Sequence, residues 1–206
     1  MNVEAKVEFF DGIAEKWDDW EDLEVVAGRL SRGLDELGVT SGETVVDVGC
    51  GTGNLTRALL DRLSSGDGRV VAIDISSAMV KKARQKIADS RVEWHVGGAT
   101  RMPIDDSSVD RVICFSVWPH FDDPDAVIEE IDRVLRPRGV LHVWHLSSRA
   151  TINEIHASAG EAVANDVLVP AARTALMLEE HGFHPYEVVD DEERYLVSAR
   201  RASRDR

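Results

Sequence analysis

The chain alternates short apolar runs with longer stretches whose apolar residues recur every three or four positions, a pattern of strands alternating with amphipathic helices. Apolar runs fall at 45–48, 69–76, 92–99 (strand then loop), 110–116 and 140–145. Helical spacing appears at 23–37, where Val26, Leu30, Leu34 and Leu37 share a stripe, and at 125–135, where Ala126, Val127, Ile131, Val134 and Leu135 do. Pro137 and Gly139 then stop the second of these helices before the fifth strand. Residues 150–164 are helical in pattern with few large apolar side chains, Pro170 opens a helix that runs to His181 before Gly182, and 188–189 and 195–199 supply a closing hairpin. Residues 4–20 carry Val7, Phe9, Phe10, Ile13, Ala14, Trp17 and Trp20, more aromatic surface than a short leading helix needs. Apolar strands separated by helices predict an α/β domain with a mostly parallel sheet.

The chemistry concentrates where the first strand ends. Asp47-Val48-Gly49-Cys50-Gly51-Thr52-Gly53-Asn54 reads as strand, glycine loop, helix start, an arrangement that lets backbone approach a ligand while free N–H groups and the helix dipole face it. A dinucleotide fingerprint is Gly-x-Gly-x-x-Gly, whereas here the spacing is Gly49-x-Gly51-x-Gly53 with an acid two residues upstream. A carboxylate there repels a pyrophosphate and suits a cationic amino group. The second apolar run ends in Asp74, about twenty residues after the loop, where a carboxylate accepts both hydroxyls of a ribose.

With these motifs the sequence resembles the class I S-adenosylmethionine-dependent methyltransferases, nearest in style to those of menaquinone and ubiquinone biosynthesis. The resemblance runs from about Thr44 to Leu146 and includes Met102-Pro103-Ile104, Ser108-Val109-Asp110 and the turn Leu135-Arg136-Pro137-Arg138-Gly139. It implies a Rossmann-like, doubly wound, seven-stranded sheet with an antiparallel last strand, an N-terminal helical lid and S-adenosyl-L-methionine as cofactor. By the same resemblance Asp47, Gly49, Cys50, Gly51, Gly53 and Asn54 hold the methionyl end and Asp74 the ribose. Ile75 and Met79 flank the adenine beside Gly98, Ala99 and Thr100, and Phe115 closes the cofactor side. Gly98 stands where the family carries an acid, so the base must be held by backbone, Thr100 or stacking. Phe10-Asp11-Gly12-Ile13-Ala14 and Trp17-Asp18 match lid segments of the family, making Phe10, Trp17 and Trp118 candidates for the acceptor wall. Ile75 and Met79 suit core packing equally well, and the leading helix could simply pack on the sheet edge.

His120, after the fourth strand, and His145, closing the fifth, are candidate bases at the carboxyl edge of the sheet. Strand alternation puts His142 and His145 on opposite faces, so no metal site is expected. The 206 residues suit one domain: lid 1–40, cofactor core 44–146, closing helices and strands 147–199, and a basic, disordered tail 200–206. A formal net charge of -14 argues against a nucleic-acid partner. No apolar run approaches a membrane span and the N-terminus lacks a signal segment, so a cytoplasmic protein is expected. Cys50 and Cys114 suit reduced thiols. The expected reaction is methyl transfer to a small-molecule acceptor, in a monomer or homodimer. The open alternatives are a non-catalytic cofactor-binding module and a nicotinamide-dependent oxidoreductase.

Overall fold

A computed structural model describes residues 3–64 and 66–203. The strands are β1 (Thr44–Val48), β2 (Arg69–Asp74), β3 (Val92–Val96), β4 (Val109–Phe115), β5 (Leu135–His145), β6 (Phe183–Asp190) and β7 (Tyr195–Arg201). They form one sheet in the order β3-β2-β1-β4-β5-β7-β6. Strands β1 to β5 pair in parallel, and β7 runs antiparallel to both β5 and β6. The helices are α1 (Val3–Ile13), α2 (Leu23–Glu36), α3 (Asn54–Arg62), α4 (Ser77–Lys86), α5 (Pro124–Val134), α6 (Arg149–Ala159) and α7 (Ala171–Glu180). Short 3₁₀ turns lie at Trp17–Trp20 and Trp118–His120.

Strand alternation divides the core between two faces. Val46, Val48, Val71, Ile73, Val112, Cys114, Leu141 and Val143 pack with α5 and α7, while Val45, Val70, Ala72, Ile113 and Trp144 pack with α2, α3 and α4. Both faces are covered, which is why the central strands read as unbroken apolar runs. Helix ends follow their local chemistry. The Asp22 carboxylate accepts from the Glu24 and Val25 N–H groups at the start of α2, and the Ser76 hydroxyl accepts from the Met79 N–H at the start of α4. Asp123 caps α5 just before Pro124.

Three boundaries differ from the sequence reading. The turn at 136–139 does not separate helix from strand: Leu135, fully buried, already pairs with Val109, and Arg136 to Gly139 rise as a hump before Val140 pairs with Arg111. Helix α6 stops at Ala159 rather than Ala164, because Gly160 takes a φ of 130°. Arg200 and Arg201, expected in a disordered tail, belong to β7, where Arg201 reaches Asp132 at 2.8 Å. Residues 204–206 lie outside the described residues.

Candidate active site

The strand order reverses between β2 and β4 on either side of β1, and a ligand crevice is expected beyond the carboxyl ends of strands at such a switch point. A cavity of about 300 Å³ opens there. The glycine loop forms part of its wall. A Cβ on Gly49 would collide with the Val117 side chain, and Gly51 sits at φ 51°, so neither position accepts another residue without strain. Folding the loop this way turns the Gly51 N–H onto Asp74 Oδ2 at 2.8 Å, while the Ser76 N–H donates to Oδ1 at 2.8 Å. Burial pushes the Asp74 carboxyl up from its ordinary range despite these two N–H donors. Each oxygen keeps a lone pair for a further donor. Ile75, Met79, Gly98, Ala99 and Thr100 line the wall beside it.

The leading segment lies over the cavity and is fastened to its rim. Asp11 Oδ1 accepts from the Ser76 hydroxyl at 2.5 Å and from the Ala78 N–H at 3.0 Å. Asp18 accepts from the Thr52 hydroxyl at 2.6 Å, Asn54 Nδ2 at 3.3 Å and Lys86 Nζ at 2.8 Å. Burial opposes ionisation of Asp18, but the hydrogen bonds from Lys86, Thr52 and Asn54 together hold its carboxyl below the usual range. Phe10 and Trp17 line the cavity, their ring centroids 6.2 Å apart.

At the far end Lys6, only 2% exposed, donates to the His120 carbonyl at 2.7 Å and to Asp122 at 2.7 Å, and lies 3.1 Å from Asp166 Oδ1. The other Asp166 oxygen meets His120 Nδ1 at 2.7 Å. His156 Nδ1 donates to the Asp166 carbonyl at 2.6 Å, so this aspartate is held by side chain and main chain alike. Burial alone would raise the Asp166 carboxyl, yet the His120 and Lys6 hydrogen bonds hold it below its ordinary range. His120 lines the cavity, with the Phe10 ring against it at 5.2 Å.

Not every residue anticipated for the site reaches the cavity wall. Asp47, expected at the cofactor's amino-acid end, is buried beneath the loop with Oδ2 accepting from the Thr56 hydroxyl at 2.6 Å and Oδ1 without a partner. Burial, with the Asp74 charge adding, pushes its carboxyl up to about 7 against the Thr56 bond. Cys50 belongs to the apolar core, Gly53 backs onto Ile87, Ala83 and Trp94, and Asn54 bonds Asp18 and Lys86. Phe115 packs on Trp144 and Trp118 on Phe121, both away from the wall. His145 is the clearest correction. Alternation along β5 turns its ring into the core against Tyr195, 5.6 Å between centroids, and burial drives it down to about 3. Its two ring nitrogens meet no hydrogen-bond partner among the described residues, and it does not line the cavity.

Conversely, Lys6 and Asp166 escaped the sequence reading, and Asp11 entered it only as part of the lid motif, without a partner. A signal existed for the first, since Lys6 falls one turn before Phe10 on the face that carries the helix's aromatic surface. For Asp166, in the loop after α6, the local sequence holds no such cue.

A methyltransferase-domain family model matches residues 46–143. The ubiquinone/menaquinone biosynthesis C-methyltransferase UbiE of Hahella chejuensis is 35% identical over 150 residues, covering 69% of this chain and 59% of that protein. Its counterpart from Idiomarina loihiensis is 30% identical over 180 residues, covering 76% and 69%. A solved S-adenosylmethionine-dependent methyltransferase from Aquifex aeolicus shares the fold with a TM-score of 0.75 at 24% identity, over 92% of this chain and 97% of that one. The chain belongs to the class I S-adenosylmethionine-dependent methyltransferases. It spans 59% of the length of the Hahella relative.

The residues present suit that family's cofactor. Asp74 keeps lone pairs that a ribose hydroxyl could reach, and the apolar Ile75, Met79 and Ala99 line the cavity together with it, where a base would fit. Around Gly51 and Gly98 no heavy atom comes within 4 Å of where a Cβ would stand, so the backbone there faces open space. The nicotinamide alternative falls away with family membership and with the absence of a glycine at position 54, where the dinucleotide spacing requires one.

Proposed function

We propose that the protein transfers a methyl group from S-adenosylmethionine to a small, largely apolar acceptor, with Asp74 and the glycine loop holding the cofactor and His120 facing the acceptor. The observation that carries the reading is that one cavity is lined together by Gly49, Gly51 and Asp74 of the glycine loop and second strand, by Phe10 and Trp17 of the leading segment, and by His120. Bound S-adenosylmethionine supplies an electrophilic methyl on a sulfonium, a leaving group already activated by its charge. The chain's contribution is therefore alignment and exclusion of water. Asp74 and the Gly51 backbone fix one partner, and the aromatic pair Phe10 and Trp17 covers the other. Holding two reactants in line is worth on the order of 7–11 kcal/mol. Asp47, beneath the loop, acts on the cofactor's amino-acid end through the position of Gly49 and Gly51 rather than by contact.

An acceptor of modest size and apolar character agrees with a cavity of this volume and with the ubiquinone- and menaquinone-pathway names of the relatives. Among the described residues no helix is long and apolar enough to cross a membrane, and we take the protein to work in the cytoplasm as one domain. Isothermal titration of ligand-free protein tests the reading. Micromolar binding of both S-adenosylmethionine and S-adenosylhomocysteine is expected, and methyl transfer to a pooled metabolite extract would separate an enzyme from a binding module. Absence of binding by either compound in folded protein would overturn it.

A further inference from the structure

We infer that Asp166 is a positioning residue that makes His120 a proton acceptor toward the cavity, and that the acceptor is accordingly a hydroxyl compound, such as a phenol or enol. The inference rests on the methyltransferase reading above and deepens it at the acceptor end.

Asp166 is 7% exposed and faces two donors, Lys6 Nζ at 3.1 Å on Oδ1 and His120 Nδ1 at 2.7 Å on Oδ2. A carboxylate so held can only accept, so His120 must carry its proton on Nδ1. In the neutral ring this leaves the lone pair on Nε2, the nitrogen of a cavity-lining histidine that Asp166 does not occupy. Orientation is fixed as well as tautomer: Phe10 stands edge-on at 5.2 Å, the His156 ring lies 4.7 Å away, and Lys6 bonds the His120 carbonyl. Lys6, Asp166 and His156 contact His120, Asp122 shares the Lys6 ammonium with the His120 carbonyl, and His145 and Asp74 lie close enough to feel its charge; His156 is committed to the Asp166 carbonyl.

This arrangement matters for some nucleophiles and not for others. A thiol ionises more readily than a phenol and reacts through its small but strongly nucleophilic thiolate fraction, so it needs no base, whereas a phenol or alcohol does. As the acceptor reacts, its O–H bond breaks and the proton passes to Nε2. Bound S-adenosylmethionine would supply the methyl group, its C–S bond breaking with the electron pair left on sulfur as the new bond to the deprotonated acceptor, at oxygen or at the conjugated carbon, forms. The imidazolium left behind is paired with Asp166 and returns its proton to water after product leaves. No oxidant, reductant or further reactant is required.

The substitution Asp166→Asn is diagnostic because the amide has one acceptor oxygen where the carboxylate has two. Lys6 will claim that oxygen, which turns the NH₂ onto His120 Nδ1 and forces the ring proton to Nε2. Long-range ¹H–¹⁵N NMR of protein loaded with S-adenosylhomocysteine reads the tautomer directly, without any acceptor. Turnover is followed with 2-naphthol and with 2-naphthalenethiol as a matched pair. The expected result is Nδ1–H in the wild type and Nε2–H in Asp166→Asn, with naphthol turnover falling about 10²-fold in Asp166→Asn and His120→Gln. Calorimetric affinity for S-adenosylmethionine should be unchanged in both, naphthol turnover should fall by a much larger factor than thiol turnover in Asp166→Asn, and Asp166→Glu should restore part of the naphthol rate. A wild-type ring protonated at Nε2, or an Asp166→Asn protein equal to wild type in tautomer and naphthol rate, would overturn the role of Asp166. Cofactor binding with turnover of the thiol alone, or of neither compound, would overturn the hydroxyl assignment. Failure to bind the cofactor at all would instead defeat the underlying methyltransferase reading.

Discussion

The cofactor and acceptor ends proposed for the cavity each rest on an aspartate, Asp74 on the wall and Asp166 buried behind His120, and the two are held in opposite ways. Asp74 takes its hydrogen bonds from backbone N–H groups of Gly51 and Ser76, and burial still raises its carboxyl. Asp166 takes its bonds from the side chains of Lys6 and His120, and these hold its carboxyl low although burial alone would raise it. Backbone dipoles fix geometry without supplying a counter-charge, so Asp74 remains short of donors and ready for a ligand hydroxyl. The Lys6 ammonium supplies the charge and His120 a second donor, so Asp166 is already satisfied and its function is to order its neighbours.

If the contrast is real, the two ends should fail differently. The largest effect is expected for Lys6→Met, which leaves Asp166 and Asp122 without their buried cation. Urea titration should show a loss of about 3–5 kcal/mol, with a much smaller change in cofactor affinity. Equal losses in both would mean that the ends form one unit. Next comes Asp47, below the cofactor end. Its folded carboxyl lies at about 7 against an ordinary value of 3.8, so between those values the folded chain binds a proton that the unfolded chain has released. Stability is then full below about pH 4, falls as pH rises to about 7 and is level above, a drop on the order of 4 kcal/mol. Asp47→Asn should flatten that slope in denaturation curves taken across the range, and an unchanged slope would assign it to other groups.

Asp74→Ala strikes the ligand more than the fold. With hydrogen bonds to a charged group worth roughly 1.5–3 kcal/mol each, calorimetry should record at least a tenfold weaker cofactor, with the His120 tautomer untouched. Unchanged affinity would remove the ribose assignment. The smallest effect belongs to Asp18→Asn. Its contacts to Thr52, Asn54 and Lys86 lie at the partly exposed rim, where such pairs are worth under about 1 kcal/mol, and a thermal melt should move only slightly.

The same contrast explains what the sequence disclosed. The cofactor end is built from two nearly continuous stretches, Gly49 to Asn54 and Asp74 to Met79, each a strand running into a helix, so spacing alone places its backbone donors and its acid. The acceptor end joins Lys6, His120 and Asp166, which only the folded chain brings together. The paired histidines show the limit most plainly. Both end up near the carboxyl edge of the sheet, but His120 follows β4 on a 3₁₀ turn and lies on the cavity wall, whereas His145 is the last residue of β5 and obeys that strand's alternation into the core. The hump at 136–139 was missed for a related reason: proline and glycine announced a turn, but not that Leu135 had already entered the sheet.

Helix α1 carries both Lys6 and Asp11, five residues and therefore about 7.5 Å apart along its axis, one latched beside His120 and the other to the start of α4 near Asp74. A single rigid bar pinned at two points cannot lift from one without straining the other. On the reading proposed above, release of spent cofactor and release of product would therefore draw on the same movement of α1 rather than on two separate openings.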